Sequence, residues 1–213
     1  MLFQIIFECA YLLFSPLLIF AGLFTDKKKI ISYKKEHKTV LIIHGYLTRG
    51  VLHFFLKRYL EKNDLTVFTP SFGFHTEKAD ILAEKLAKYV EDKKLDQFIL
   101  IGTSYGACIC LNYLQKFNGW DKTKHFIGLA GPYHGTYRIL SPVYREKIAS
   151  SRILNPDRVT CVSAKYDELV PRWSSQLSGV KNITVPVIGH AYLCSLSEGV
   201  RQLILDKANN PAN

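Results

Sequence analysis

Six short apolar runs, each rich in β-branched or aromatic residues, recur along residues 39–190 with helix-like stretches between them. They read TVLIIHG (39–45), LTVFTP (65–70), FILIGTS (98–104), HFIGLAG (125–131), RVTCVSAKYD (158–167) and ITVPVIGH (183–190). Several are apolar throughout, which is the pattern of strands covered on both faces, whereas a strand with one wet face alternates. Residues 76–93 place Ala79, Leu82, Leu86, Tyr89 and Val90 at helical spacing among lysines and glutamates, and 51–62 and 105–117 also read as helices. Strand–helix alternation of this kind predicts a mostly parallel α/β sheet with right-handed crossovers. A chain of 213 residues, 48% hydrophobic and 22% charged, suits one folded domain, drawn here over 39–208 with a disordered tail at 209–213.

The segment ahead of that domain differs. MLFQIIFECAYLLFSPLLIFAGLF carries a single charge, Glu8, and then meets TDKKK. A helix of that length reaches across a hydrocarbon core of roughly 30 Å. Its first 24 residues hold no Lys or Arg, and the basic residues lie on the C-terminal flank, so residues 1–25 read as an uncleaved anchor and not as a signal peptide. Glu8 and Pro16 leave open a helix that lies in the membrane interface instead.

The net charge of +10 is concentrated, with six lysines from Lys27 to Lys38, and residues 26–38 read as a basic juxtamembrane linker. Such a cluster favours anionic headgroups by about 1 kcal/mol per charge. For a spanning anchor it would keep the following domain on the cytoplasmic side. Nucleic acid is not an expected partner, because no helix-turn-helix, zinc-finger or RNP-like pattern accompanies the charge. The five cysteines are odd in number and sit mostly in apolar runs, so they read as reduced core thiols. Cys108-x-Cys110 lacks the second Cys/His pair that zinc requires.

In parallel sheets chemistry gathers at the carboxyl ends of the strands. Those ends carry His44-Gly45-Tyr46, Pro70-Ser71, Ser104-Tyr105, Pro132-Tyr133-His134, Asp167-Glu168 and Gly189-His190. Gly102-Thr103-Ser104-Tyr105-Gly106 is a G-x-S-x-G pattern with a strand before it and a helix after it. Ser104 is therefore a candidate nucleophile, or else the residue of a tight turn. A serine needs a base to take its proton, and the base needs an orienting carboxylate. On this kind of sheet the partners follow in the order serine, acid, histidine, and Asp167 and His190 occupy the two later strand ends. Glu168 is the competing acid. His134 precedes the acid, so it reads as a pocket residue or a loop cap. His37, His53, His75 and His125 fall where no site logic applies and are expected to be solvated. The tetrahedral intermediate needs backbone N–H donors, one from Tyr105 and one from the HGYLTRG loop, where Tyr46 is the candidate and His44-Gly45 shapes the turn.

With these residues assembled, the chain resembles an α/β-hydrolase, and more narrowly the small, nearly lidless bacterial lipases and lipase-like esterases. The resemblance covers roughly residues 38–206 and rests on LIIHGY, ILIGTSYGA, FIGLAGPYHGT, VTCVSAKYDELVP and NITVPVIGHAYL. It implies Ser104 as nucleophile, His190 as base, Asp167 as orienting acid, Tyr46 and Tyr105 as oxyanion donors, and no metal or organic cofactor. Ala107 stands where many lipases have another glycine, and Thr103 where a histidine is common. Residues 136–157 are too short for a large lid and read as a modest cap. The expected activity is hydrolysis of carboxylic esters, acyl lipids among them, through an acyl-enzyme. Acyl transfer or thioester cleavage on the same residues, and a non-catalytic membrane-anchored binding protein, are the alternatives.

Overall fold

The computed structural model describes residues 1–10, 38–48, 53–136 and 153–210. Six strands form one sheet: β1 (Lys38–Ile43), β2 (Leu65–Phe68), β3 (Phe98–Thr103), β4 (Thr123–Leu129), β5 (Val159–Tyr166) and β6 (Lys181–Ile188). Every pairing is parallel and the order is β2-β1-β3-β4-β5-β6. The chain steps outward from β1 to β2 and then returns past β1 to β3. The carboxyl ends of β1 and β3 thus flank the point where the strand order reverses, where open α/β sheets form their crevice.

The runs that were apolar throughout do bury both faces, and alternate side chains separate into two cores. Leu41, Ile43, Phe98, Leu100 and Phe126 pack on one face with α3 (Ala79–Asp92) and α4 (Tyr105–Lys116). Val40, Ile42, Ile99, Ile101, Ile127 and Leu129 pack on the other with α2 (Phe54–Glu61) and α6 (Glu198–Asn209). A short helix, α5 (His190–Ser195), follows β6 almost directly.

Residues 2–10 form a further helix, α1. Among the described residues no helix is long and apolar enough to cross a membrane, so the spanning anchor drawn over 1–25 finds no support. Its remainder (11–25), the basic linker to residue 37 with His37, most of the cap (137–152) and the last three residues of the tail lie outside the described residues.

Candidate active site

Ser104 stands alone between the end of β3 and the start of α4, with φ 52° and ψ −127°. A non-glycine residue held in that region carries strain on the order of 1–3 kcal/mol. Its amide donates to the Leu129 carbonyl at 2.8 Å and its own carbonyl accepts the Ala107 amide at 2.9 Å, which locks the bend. The glycines follow from close backbone approach. A Cβ on Gly102 would run into the backbone of Ala107, and one on Gly106 into the carbonyls of Ile43 and His44. A Cβ on Gly45 would lie 2.9 Å from the Ser104 Cβ, so the loop after β1 presses directly on the serine.

His190 opens α5 directly after Gly189, whose φ of 104° suits glycine. Its Nδ1 lies 2.9 Å from Asp167 Oδ2 and 3.1 Å from Oδ1. Asp167 Oδ1 also accepts the amides of Leu169 at 2.9 Å and Val170 at 2.8 Å, so the carboxylate cannot swing away. The His190 and Asp167 side chains are only 9% and 3% exposed. Burial alone would suppress the imidazolium, but Asp167 outweighs it, with Glu168 and Glu8 adding, and His190 is held above its ordinary 6.5. Burial likewise opposes ionisation of Asp167, yet His190 and the two amides bring its carboxyl below 3.8.

Ser104 and His190 line one cavity of about 90 Å³ together with Tyr46, Thr48, His53 and Leu169. A larger hollow of about 670 Å³ lies around Tyr166, Asp167 and Trp173, but its lining includes neither Ser104 nor His190.

The sequence of residues 38–147, just over half of the chain, matches the family model for the α/β-hydrolase fold. The chain belongs to the α/β-hydrolase family. Solved structures agree in fold. An α/β-hydrolase from the sediment metagenome of the Mar Chica lagoon in Morocco superposes with a TM-score of 0.67 at 17% identity, covering 84% of this chain and 93% of that one. The carboxylesterase CesB from Bacillus subtilis gives 0.60 at 11% identity, over 82% and 85%. A thermophilic esterase from Thermogutta terrifontis gives 0.61 at 15%, over 83% and 91%. No curated protein matches the sequence.

Around the hydrolase bend, several histidines occupy places the sequence did not indicate. His53, His75 and His125 were expected in solvent, yet they are 2%, 1% and 0% exposed. His125 lies within β4, where Thr160 of β5 meets its Nε2 at 2.9 Å. His53 meets Thr103 Oγ1 at 3.0 Å beside the serine. Burial pushes both His53 and His75 down to about 3, so both are neutral imidazoles. His75 donates from Nδ1 to the His44 carbonyl at 2.9 Å and stacks on the His44 ring at a centroid distance of 3.6 Å. Thr48 Oγ1 donates to the Gly45 carbonyl at 3.1 Å. The His44-Gly45-Tyr46 turn is thereby held by His75 and by Thr48, and His44 acts as part of its support.

Glu168, His134 and Tyr105 each have a distinct place. Asp167 is the carboxylate on the His190 ring, whereas Glu168 accepts the His190 backbone amide at 3.1 Å. His134 is exposed, with its Nε2 on the Gln176 carbonyl at 3.1 Å, and lies outside the cavity as a loop tie. The Tyr105 side chain is buried and donates to the Glu77 carbonyl at 3.0 Å, so only its backbone can face the site. The group that sequence reasoning overlooked is Glu8, which contacts α5; its signal was that it is the one charge in 24 otherwise uncharged residues.

Proposed function

We propose that this α/β-hydrolase is a serine ester hydrolase, with Ser104 as nucleophile, His190 as general base and Asp167 as the acid that orients it. The observation that carries the reading is the buried 2.9 Å contact between His190 Nδ1 and Asp167, with the ring in the cavity that Ser104 opens into. That contact commits Nδ1 and leaves Nε2 for the serine. The Ser104 hydroxyl proton passes to Nε2 as Oγ bonds to the ester carbonyl carbon. The oxygen, now an oxyanion, is held by the backbone N–H groups of Tyr46 and Tyr105. Collapse breaks the bond to the alcohol, which leaves with the proton from His190, and water then repeats the sequence on the acyl-enzyme.

The described residues enclose about 90 Å³, room for a short acyl group. Short-chain esters are therefore the first substrates to try. The full chain is treated with a fluorophosphonate probe and with p-nitrophenyl acetate, butyrate and palmitate. Ser104→Ala is expected to abolish labelling and to cut turnover by at least about a thousand-fold. Undiminished labelling or turnover in that variant overturns the assignment.

The place of work is proposed to be a membrane surface. Helix α1 turns Gln4 and Glu8 toward the domain and leaves Met1, Leu2, Phe3, Ile5 and Ile6 between 42% and 83% exposed. An apolar face turned outward on α1, in a chain whose sequence also carries a lysine-rich stretch, is the composition of an interfacial anchor, the second of the two readings offered by the sequence.

A further inference from the structure

Helix α1 docks in an unusual sense. A surface helix ordinarily buries its apolar stripe, yet here the buried residue is Glu8 while Met1, Leu2, Phe3, Ile5 and Ile6 are exposed. Gln4 Oε1 accepts the Ile188 amide at 3.0 Å, and Glu8 Oε1 accepts the Tyr192 amide at 2.5 Å. Gln4 and Glu8 are one helical turn apart, and so they clasp the chain just before and just after His190. Phe3 and Phe7 meet the Tyr192 ring edge-on at 6.3 and 6.0 Å. Glu8 is 7% exposed, and its Oε2 is buried with no hydrogen-bond partner among the described residues. A Cβ on Gly189 would overlap the Glu8 carboxyl, so the glycine before the histidine is also the space that Glu8 occupies.

The residues held in this way need holding. Helix α5 has six residues, too few to be stable through its own hydrogen bonds. The amides of its first turn have no intrahelical acceptors. Glu168 takes the His190 amide and Glu8 takes that of Tyr192. The setting of the imidazole thus depends on acceptors from outside its own helix.

Resting on the serine-hydrolase reading above, we propose that Glu8 is a positioning residue for His190. Its carboxyl seats the first turn of α5, and with it the imidazole, at the angle that Asp167 and Ser104 require. The N-terminal helix is then part of the active-site framework as well as a membrane contact. Burial pushes the Glu8 carboxyl up to about 7, against the pull of the Tyr192 amide and with Glu168 adding. The charged groups facing it are Glu168 and His190, with Asp167 behind the imidazole. Its negative charge in turn favours the His190 imidazolium.

The test compares the full chain with Glu8→Ala and Glu8→Gln, reading p-nitrophenyl butyrate turnover across pH and deuterium exchange at the Tyr192 amide. Glu8→Ala is expected to speed exchange at Tyr192 and to lower kcat at least about tenfold with KM within about twofold, as a misplaced catalytic group does. Glu8→Gln keeps an oxygen acceptor, so it restores protection and most of kcat. It also moves the acid limb of kcat/KM to lower pH, because the charge that raises the His190 pKa is gone. Unchanged Tyr192 exchange in Glu8→Ala overturns the proposal. So does faster exchange with kcat and the pH profile unaltered. Absence of fluorophosphonate labelling at Ser104 in the wild-type chain counts against the hydrolase reading instead, so the two failures are separable.

Discussion

Ser104 is held in a left-handed backbone conformation that a glycine would adopt without strain, so its stability and its proposed role oppose each other. Ser104→Gly should remain folded and gain about 1 kcal/mol in urea denaturation while losing fluorophosphonate labelling. The Asp167–His190 pair predicts a pH signature. Asp167 is depressed below 3.8, so its contribution to stability is present above 3.8 and lost as pH falls through its folded value. His190 is raised above 6.5, so its contribution is complete below 6.5 and lost as pH rises through its folded value. The pair therefore stabilises most between 3.8 and 6.5, whereas the proposed reaction needs the neutral imidazole and is expected to rise at higher pH. Asp167→Asn is expected to lower the urea midpoint most within that window and to flatten its fall on either side. It should also move the acid limb of kcat/KM to lower pH and reduce kcat by about 10⁴-fold.

At the scale of elements, the loops and the short helix carry the geometry. The His44–Thr48 turn is fixed by His75 and Thr48, and α5 by Glu168 and Glu8, so both halves of the site rely on polar ties to neighbouring segments. The docking of α1 has its own pH sense. Glu8 is raised from 4.5 to about 7, so the docked helix binds the proton more tightly than a free one does. Docking is at full strength below 4.5 and weakens as pH rises through about 7. Protease cleavage within residues 1–10 should become faster over that interval, and Glu8→Gln should make its rate independent of pH.

At the scale of the whole molecule, a hydrolase domain meets an outward apolar face on α1 and a lysine-rich stretch in the sequence. The full chain is expected to co-sediment with vesicles containing phosphatidylserine, less so as salt rises, since surface charge is screened over about 10 Å at 0.1 M. Leu2→Ser with Ile6→Ser should weaken that binding even at low salt, because both side chains are exposed on α1. Binding equal to wild type in the double variant would remove α1 from the membrane contact.

How much of this was legible in the chain follows from the separation between interacting residues. Strand ends were readable, because apolar runs mark the strands and glycines stand two residues to either side of Ser104. Ser104, Asp167 and His190 could thus be named in order, and Tyr46 with the loop after β1. Burial of His53, His75 and His125 was not readable. Their partners Thr103, His44 and Thr160 lie 50, 31 and 35 residues away, and only the packed sheet brings them near. The same holds for Glu8, whose partner Tyr192 is 184 residues distant. Periodicity and turn chemistry are local, so the sequence by itself determined the α/β alternation, the bend at Ser104 and the order of the residues at the strand ends. Hydrogen-bond partners of buried polar groups are set by three-dimensional proximity. Only the tertiary structure decided that a charge in the N-terminal apolar segment would come to rest beside the histidine.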